Sequence, residues 1–142
     1  MRARGWRVSG LVCGVLVVGI LLTTLTPTPV DRPYRTLVGA LVAAVRRLPG
    51  LGWFDYDWLE SIANALMFVP LGAALTLLVH RWWIAVLCCA ALSGAVELGQ
   101  AAFLPERTAS ILDVAANTAG ALLGAVATAL VRRPAGEHRG AP

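Results

Sequence analysis

Six polar side chains interrupt long apolar runs of this sequence and carry the groups that could do chemistry. They are Asn64, Glu97, Gln100, Arg107, Asp113 and Asn117. Carboxylates and amides can hold a polar ligand through hydrogen bonds, and arginine pairs with phosphate or carboxylate. An acid inside a membrane span costs about 2.5 to 3.5 kcal/mol on insertion scales, so each acid among them needs an explanation.

The spacing of four of these residues predicts a shared site. Glu97 and Gln100 are three residues apart. Asp113 and Asn117 are four apart, so each pair lies on one face of a helix. Counting from the ends of the short intervening loop predicts Gln100 opposite Asp113, about 5 Å below the membrane surface. Glu97 then lies opposite Asn117, about 10 Å deep. With Arg107 in the loop above, the pattern predicts a polar pocket that opens outward.

Each group also has a structural explanation, which stays open at this point. Ser110 followed by Asp113 is a capping-box pattern, in which the acid completes the start of a helix. The three amides could form interhelical hydrogen bonds that contribute ~0.6 to 2 kcal/mol each. Glu97 lies well within an apolar run and has no capping role by its position, so it is the strongest candidate for a functional role.

Composition identifies the elements that must position these groups. The chain has 142 residues, of which 58% are hydrophobic and 14% charged, against roughly 25% charged in soluble domains. This excludes a large soluble catalytic domain and leaves room for about four spans of roughly 20 residues. All twelve basic residues are arginines at the edges of apolar runs, with eight acids and a net charge of +4. That distribution is typical of membrane topology and not of a nucleic-acid partner.

The sequence predicts an all-α integral membrane bundle with about four transmembrane helices and one short interfacial or re-entrant helix. The predicted order is a cytoplasmic N-terminus 1–7, transmembrane helix 8–26, an extracytoplasmic connection 27–60 with an interfacial helix 36–48, a core 61–131 with transmembrane helices 62–79, 82–103 and 111–131, and a disordered cytoplasmic tail 132–142. We expect the first run to remain as an anchor and not to be cleaved. Asp57, with Glu60 three residues later, predicts the N-cap that precedes the second span.

The arginine distribution favours a cytoplasmic location for both termini. With the N-terminus inside, inner segments hold seven arginines and outer segments five. The sequence predicts no metal and no cofactor, because His80 and His138 stand apart and Cys13, Cys88 and Cys89 lie in apolar runs without a CxxC motif.

Small residues recur at helical spacing and predict close helix packing. One set is Ala116, Gly120 and Gly124, and the other is Ala91, Ala95 and Gly99. Whether they pack within one chain or in a homo-oligomer stays open. Pro70 removes a backbone donor from its helix and predicts a kink.

Three segments in a fixed order resemble the VanZ-like family of small bacterial membrane proteins. They are NALMFVPLG (64–72), ELGQ (97–100) and RTASILDVAANTAGALLG (107–124). The resemblance covers about residues 61–131. Its motif positions are Asn64, Pro70, Gly72, Glu97, Gln100, Arg107, Asp113, Asn117 and Gly120. Ser110 departs from the pattern, since many members have an acid there, and a site that needs that carboxylate would be impaired.

The resemblance implies a setting more than a mechanism. The family is associated with resistance to glycopeptide antibiotics, in particular teicoplanin, which implies the bacterial cytoplasmic membrane and the cell envelope. The first hypothesis is a non-enzymatic protein whose outward pocket binds a lipid-linked or peptidoglycan-related ligand. Whether the chain is an enzyme stays open, with a non-enzymatic role favoured. The alternatives are a membrane enzyme with Glu97 as acid or base, a small transporter, and a structural bundle.

Overall fold

The computed structural model of the chain describes residues 2–25, 34–104 and 110–132. Within these ranges the chain forms five α-helices and no strand. They are α1 (Arg2–Thr24), α2 (Arg35–Arg46), α3 (Tyr56–Val79), α4 (Trp82–Phe103) and α5 (Ile111–Val131). The predicted all-α class, with four long apolar helices and one short helix, is confirmed.

Four of the described helices are long and apolar enough to cross a membrane. They are α3, α4, α5 and the part of α1 that runs from Trp6 to Thr24. Large apolar side chains such as Leu11, Leu98 and Leu123 stay about 70% exposed on their outer surfaces. Water would make such exposure costly, whereas a bilayer solvates it. The chain is therefore a multi-pass membrane protein.

The helix α3 begins at Tyr56 and not at residue 62, because its cap lies further upstream than the sequence indicated. Asp55 is the N-cap residue, and its carboxylate accepts a hydrogen bond from the backbone N–H of Trp58 at 3.2 Å. The predicted cap, Asp57, lies in the first turn of the helix instead. The helix then continues through Pro70, which is exposed.

The most extensive helix contact joins α3 to α5, and glycine makes it possible. A Cβ atom added to Gly72 would lie 2.8 Å from Ala121 Cα, and one added to Gly124 would lie 2.8 Å from the Val69 carbonyl carbon. Real Cβ atoms do not approach backbone so closely. The absent side chains therefore let the two backbones touch, as in other small-residue membrane contacts.

An apolar core lies where α1, α4 and α5 meet α3. Its buried members are Ile20 of α1, Phe68 and Leu71 of α3, Cys89 of α4 and Ala121 of α5. The first helix joins the bundle mainly through α3. The short helix α2 also contacts α3, and none of its residues is buried.

The two small-residue sets have different surroundings. In α5, the backbones of Gly120 and Gly124 pack against α3 of the same chain. In α4, Ala91 and Ala95 face outward and are exposed, and Gly99 is half-buried. The first set thus serves packing within the chain.

The connection between α3 and α4 is a tight turn at His80. This residue adopts a left-handed conformation with φ of 60°, and its N–H donates to the Thr76 carbonyl at 3.0 Å. A left-handed residue commonly ends a helix in this way. The turn makes α4 antiparallel to α3, so the end of α4 returns to the level at which α3 begins.

Candidate functional site: a polar cluster at one end of the bundle

Polar side chains gather at the end of the bundle where α1 and α4 finish and α3 and α5 begin. We call this group the polar cluster, and its members are Thr24, Ser61, Ser93, Glu97, Gln100, Ser110, Asp113 and Asn117. Ser110 and Asp113 are half-buried, and the others are buried. Because lipid offers no hydrogen-bond partners, such groups need partners inside the protein.

Glu97 is held at the start of the neighbouring helix. The backbone N–H of Ser110, the N-cap residue of α5, donates to Glu97 Oε2 at 2.7 Å. The first amides of a helix lack partners within the helix and carry partial positive charge, so they suit a carboxylate. The expectation that Glu97 has no capping role is wrong, because it caps α5 from α4.

Asp113 links α5 to α3. Its carboxylate accepts a hydrogen bond from the Ser61 hydroxyl at 2.5 Å. Its backbone N–H donates to Ser110 Oγ at 3.3 Å, which is the first half of the predicted capping box. The second half is made differently, because the Ser110 N–H is bound by Glu97 and not by Asp113. The box is thus shared between two helices.

Gln100 fastens the end of α1. Its amide nitrogen donates to the Thr24 backbone carbonyl at 2.8 Å. Thr24 is the final residue of α1, where carbonyls have no partner within the helix. The Thr24 hydroxyl itself donates to the Ile20 carbonyl at 2.7 Å. Gln100 therefore acts as a C-terminal cap supplied by α4.

Asn117 is the deepest amide of the cluster. Its Nδ2 donates to Ser93 Oγ at 2.9 Å, and the two residues are 6% and 1% exposed. Its Oδ1 is buried and accepts no hydrogen bond from the residues that the structure describes. A buried carbonyl oxygen without a donor is costly and rare in folded proteins. This acceptor is the one feature of the cluster that its neighbours do not satisfy.

The helices α4 and α5 meet about one turn away from the predicted alignment. Asn117 pairs with Ser93 and not with Glu97, and Gln100 faces α1 and not Asp113. The predicted oppositions are therefore wrong. The prediction placed the two loop ends at one level, whereas α4 continues about one turn beyond the level at which α5 starts.

Two further predicted site residues do not join these contacts. Asn64 is half-buried, one helical turn before the buried Phe68, and forms no hydrogen bond with the described residues. Arg107, the predicted roof of the pocket, lies outside the described residues. Of the predicted packing positions, Gly72, Gly120 and Gly124 lie in the contact between α3 and α5.

The structure adds three hydroxyl residues that sequence reasoning missed: Thr24, Ser61 and Ser93. Serine and threonine are common in apolar helices, where the hydroxyl can bond a carbonyl of its own helix. Thr118 and Thr128 do this, with bonds to Val114 O and Gly124 O. Nothing in their spacing separates the two groups, so the sequence held no signal for the missed residues.

The chemistry that the polar cluster can support depends on what its acids and amides contact. Among residues 2–25, 34–104 and 110–132, no group of His, Cys, Asp and Glu could hold a metal ion. Glu97 Oε2 accepts a hydrogen bond from the Ser110 backbone amide, and the Asp113 carboxylate accepts one from the Ser61 hydroxyl. Among the described residues, Asn117 Oδ1 is the buried side-chain acceptor that no neighbour satisfies.

A comparison with protein-family models decides the family. The model for VanZ/LLP1 matches residues 12–132, most of the chain. The chain belongs to the VanZ-like family. No curated protein and no solved structure gives a significant match. The VanZ-like match is longer than the resemblance over residues 61–131, since it also takes in α2 and most of α1.

The contacts give one reason why VanZ-like sequence extends over the first helix. Gln100, a motif position of the resemblance, donates a hydrogen bond from its side-chain amide to the last carbonyl of α1. The polar cluster therefore needs α1 as well as the three helices after it. In this VanZ-like chain Ser110, where the resemblance departs, supplies both a hydroxyl and an amide to the cluster.

Proposed function

We propose that this VanZ-like membrane protein binds the polar headgroup of a lipid-linked or peptidoglycan-related ligand in its polar cluster. The binding takes place at the outer face of the bacterial cytoplasmic membrane and modulates susceptibility to glycopeptides such as teicoplanin. The protein acts by binding and not by catalysis. Both chain termini lie in the cytoplasm in this arrangement, as the arginine distribution favours.

The single observation that supports the proposal is the unsatisfied Oδ1 of Asn117. A buried acceptor without a donor costs about 1 to 3 kcal/mol. A ligand that brings a hydroxyl, amide or ammonium donor recovers that cost on binding. Sugar hydroxyls and peptide amides, which are the groups of envelope precursors, are donors of this kind.

The rest of the cluster supports the proposal by holding Asn117 in place. Ser93 Oγ accepts a hydrogen bond from Asn117 Nδ2, which holds the amide against α4. Asp113 and Glu97 fasten the start of α5 to α3 and α4. A preorganised acceptor of this kind loses little entropy when a ligand binds. In the proposal, Arg107 meets a phosphate or carboxylate of the same ligand.

The contact of Glu97 with the start of α5 argues against Glu97 as the acid or base of an enzyme, and the hydroxyls in the other half of the bundle argue against a transporter. An acid or base role for Glu97 needs its carboxylate next to a reacting group, whereas Oε2 is bound to the Ser110 amide. A transporter needs polar groups through the whole span. In the other half of the described helices, the hydroxyls of Thr76 and Thr128 bond carbonyls of their own helices.

The test compares Asn117→Leu with Thr118→Val. Leucine has the same number of side-chain heavy atoms as asparagine and removes both the acceptor and the Nδ2 donor to Ser93. Thr118 is the next residue, and its hydroxyl bonds its own helix. Purified full-length protein is incubated with a lipid-linked disaccharide-peptide precursor of peptidoglycan, and bound ligand is measured by native mass spectrometry. We expect Asn117→Leu to weaken binding about ten-fold or more, the effect of one lost hydrogen bond to a buried acceptor. Thr118→Val keeps wild-type binding.

The same variants test the effect on susceptibility in a deletion strain, with equal protein amounts verified by membrane blot. Wild type and Thr118→Val restore the wild-type response to teicoplanin, and Asn117→Leu does not. Equal binding and equal restoration by all three proteins would contradict the proposal. If binding depends on Asn117 but deletion leaves susceptibility unchanged, the ligand is right and the link to glycopeptides is wrong.

A further inference from the structure

The short helix α2 carries an apolar surface that the described residues leave uncovered. Leu37 and Leu41 are 70% and 51% exposed. On the adjacent side, Val38 and Val42 are half-buried and face α3. Apolar residues thus fill one side of α2, with Arg35 at its edge. This pattern is typical of a helix that lies in the plane of a membrane surface.

A groove opens between α2 and the first turn of α3. It has a volume of about 290 Å³ and is lined by Arg35, Val38, Gly39, Val42 and Tyr56. Gly39 contributes no side chain to the wall of the groove, and a Cβ atom added there would meet nothing within 4 Å. The space approaches the lower end of the volumes of small-molecule sites, roughly 300 Å³, and suits part of a larger ligand.

One end of the groove is positively charged and the rest is apolar. Arg35 lines the groove and forms no ion pair with the residues that the structure describes. The helix α2 contains no acid and ends in a second arginine, Arg46. The acids nearest to Tyr56 in the chain are Asp55 and Asp57, and neither lines the groove.

The position of the groove along α3 indicates its depth relative to the membrane. Tyr56 begins α3, and Ser61, five residues on, already belongs to the buried polar cluster at the end of the bundle. The groove therefore lies at the boundary of the membrane, where headgroups meet acyl chains. Trp53 and Trp58, on either side of Tyr56 in the chain, pack edge to face with their ring centroids 5.2 Å apart, and such aromatic residues are typical of a membrane interface.

We propose that this groove binds one anionic phospholipid, whose phosphate pairs with Arg35 and whose acyl chain lies over Gly39 between Val38 and Val42. Charge complementarity selects the anionic headgroup, since a guanidinium matches phosphate oxygens in a bidentate geometry. Continuity with the lipid-facing surface selects a lipid over a protein partner. The groove shares no residue with the polar cluster. A failure of the proposed function would therefore leave the lipid site untouched, and the reverse also holds.

The test uses the full chain in detergent, titrated with phosphatidylglycerol or with phosphatidylcholine of the same acyl chains. Bound lipid is counted by native mass spectrometry. We expect phosphatidylglycerol to bind about ten-fold more tightly, since the phosphocholine headgroup carries its own cation. Gly39→Leu fills the groove and Arg35→Gln removes the charge, and each weakens phosphatidylglycerol binding about ten-fold or more.

Each variant has a matched control on the same helix. Ala40→Leu places the same leucine side chain at an exposed position outside the groove, and Arg46→Gln removes an arginine that does not line it. Both keep wild-type affinity. Equal affinity for the two lipids, or equal effects of variants and controls, overturns the proposal. Displacement of the lipid by millimolar inorganic phosphate also overturns it, because the site would then bind free anions.

Discussion

Replacing Gly120 by alanine tests the contact that holds the bundle together. Gly120 lies in the middle of α5, against the backbone of α3. An added Cβ would lie 2.9 Å from the carbonyl carbon of Ala65, 3.2 Å from its Cα and closer still to its oxygen. None of these atoms belongs to a side chain that could rotate away, so the two helices must separate.

The magnitude follows from that separation. A gap of roughly 0.5 to 1 Å forfeits a quarter to a half of the dispersion energy of the atoms that face each other. Overpacking of this kind costs about 1 to 3 kcal/mol. Alanine is also about 1 kcal/mol more favourable than glycine inside a helix, and this gain partly offsets the cost of overpacking in the measured free energy of unfolding. A control that shares this gain is therefore needed.

Gly94→Ala is that control. Gly94 lies inside α4, and a Cβ there would meet nothing within 4 Å. The propensity gain cancels between the two variants, so their free energies of unfolding should differ by about 1 to 3 kcal/mol, with Gly120→Ala the less stable. The assay is reversible unfolding of the purified protein in mixed detergent and SDS, followed by circular dichroism. Equal stability of the two variants would refute the close contact between α3 and α5.

Two further predictions concern the polar cluster and the cysteines. Ser61→Ala removes the donor to the Asp113 carboxylate and should lower the free energy of unfolding in the same assay by about 1 to 3 kcal/mol, whereas no change would show that the contact adds nothing. In detergent, a small apolar maleimide should label the exposed Cys88 before the buried Cys13 and Cys89, which react after unfolding. Mass spectrometry of labelled peptides measures the order, and equal rates for all three would contradict it.

The sequence predicts the number and type of the helices well, because the bilayer limits the possibilities. A span needs roughly 20 apolar residues, and lipid permits helices where it forbids open sheets. The long apolar runs therefore identify α1, α3, α4 and α5 without tertiary information. The cap of α3 was predicted two residues late, because Asp57 with Glu60 also matches the N-cap pattern, whereas Asp55 has that role.

The contacts of the site are harder to predict than its members. Glu97 and Asp113 stand out because acids are costly in lipid. Their partners are Ser110 and Ser61, and these contacts depend on the level at which neighbouring helices meet. If one helix shifts by one turn along the other, every residue of α4 faces a different residue of α5. The spacing of residues within a helix does not determine this relative position.

The pairing of α3 with α5 also constrains the order in which the protein can mature. The helices leave the ribosome in sequence, so α3 and α4 enter the membrane before the partner that covers most of α3 exists. During that interval the backbone near Gly72 and the hydroxyl of Ser61 face lipid or the insertion machinery. A chain that stalls before residue 111 leaves this surface of α3 without the helix that packs against it. The last of the five helices to be synthesised therefore decides whether the earlier ones become a bundle.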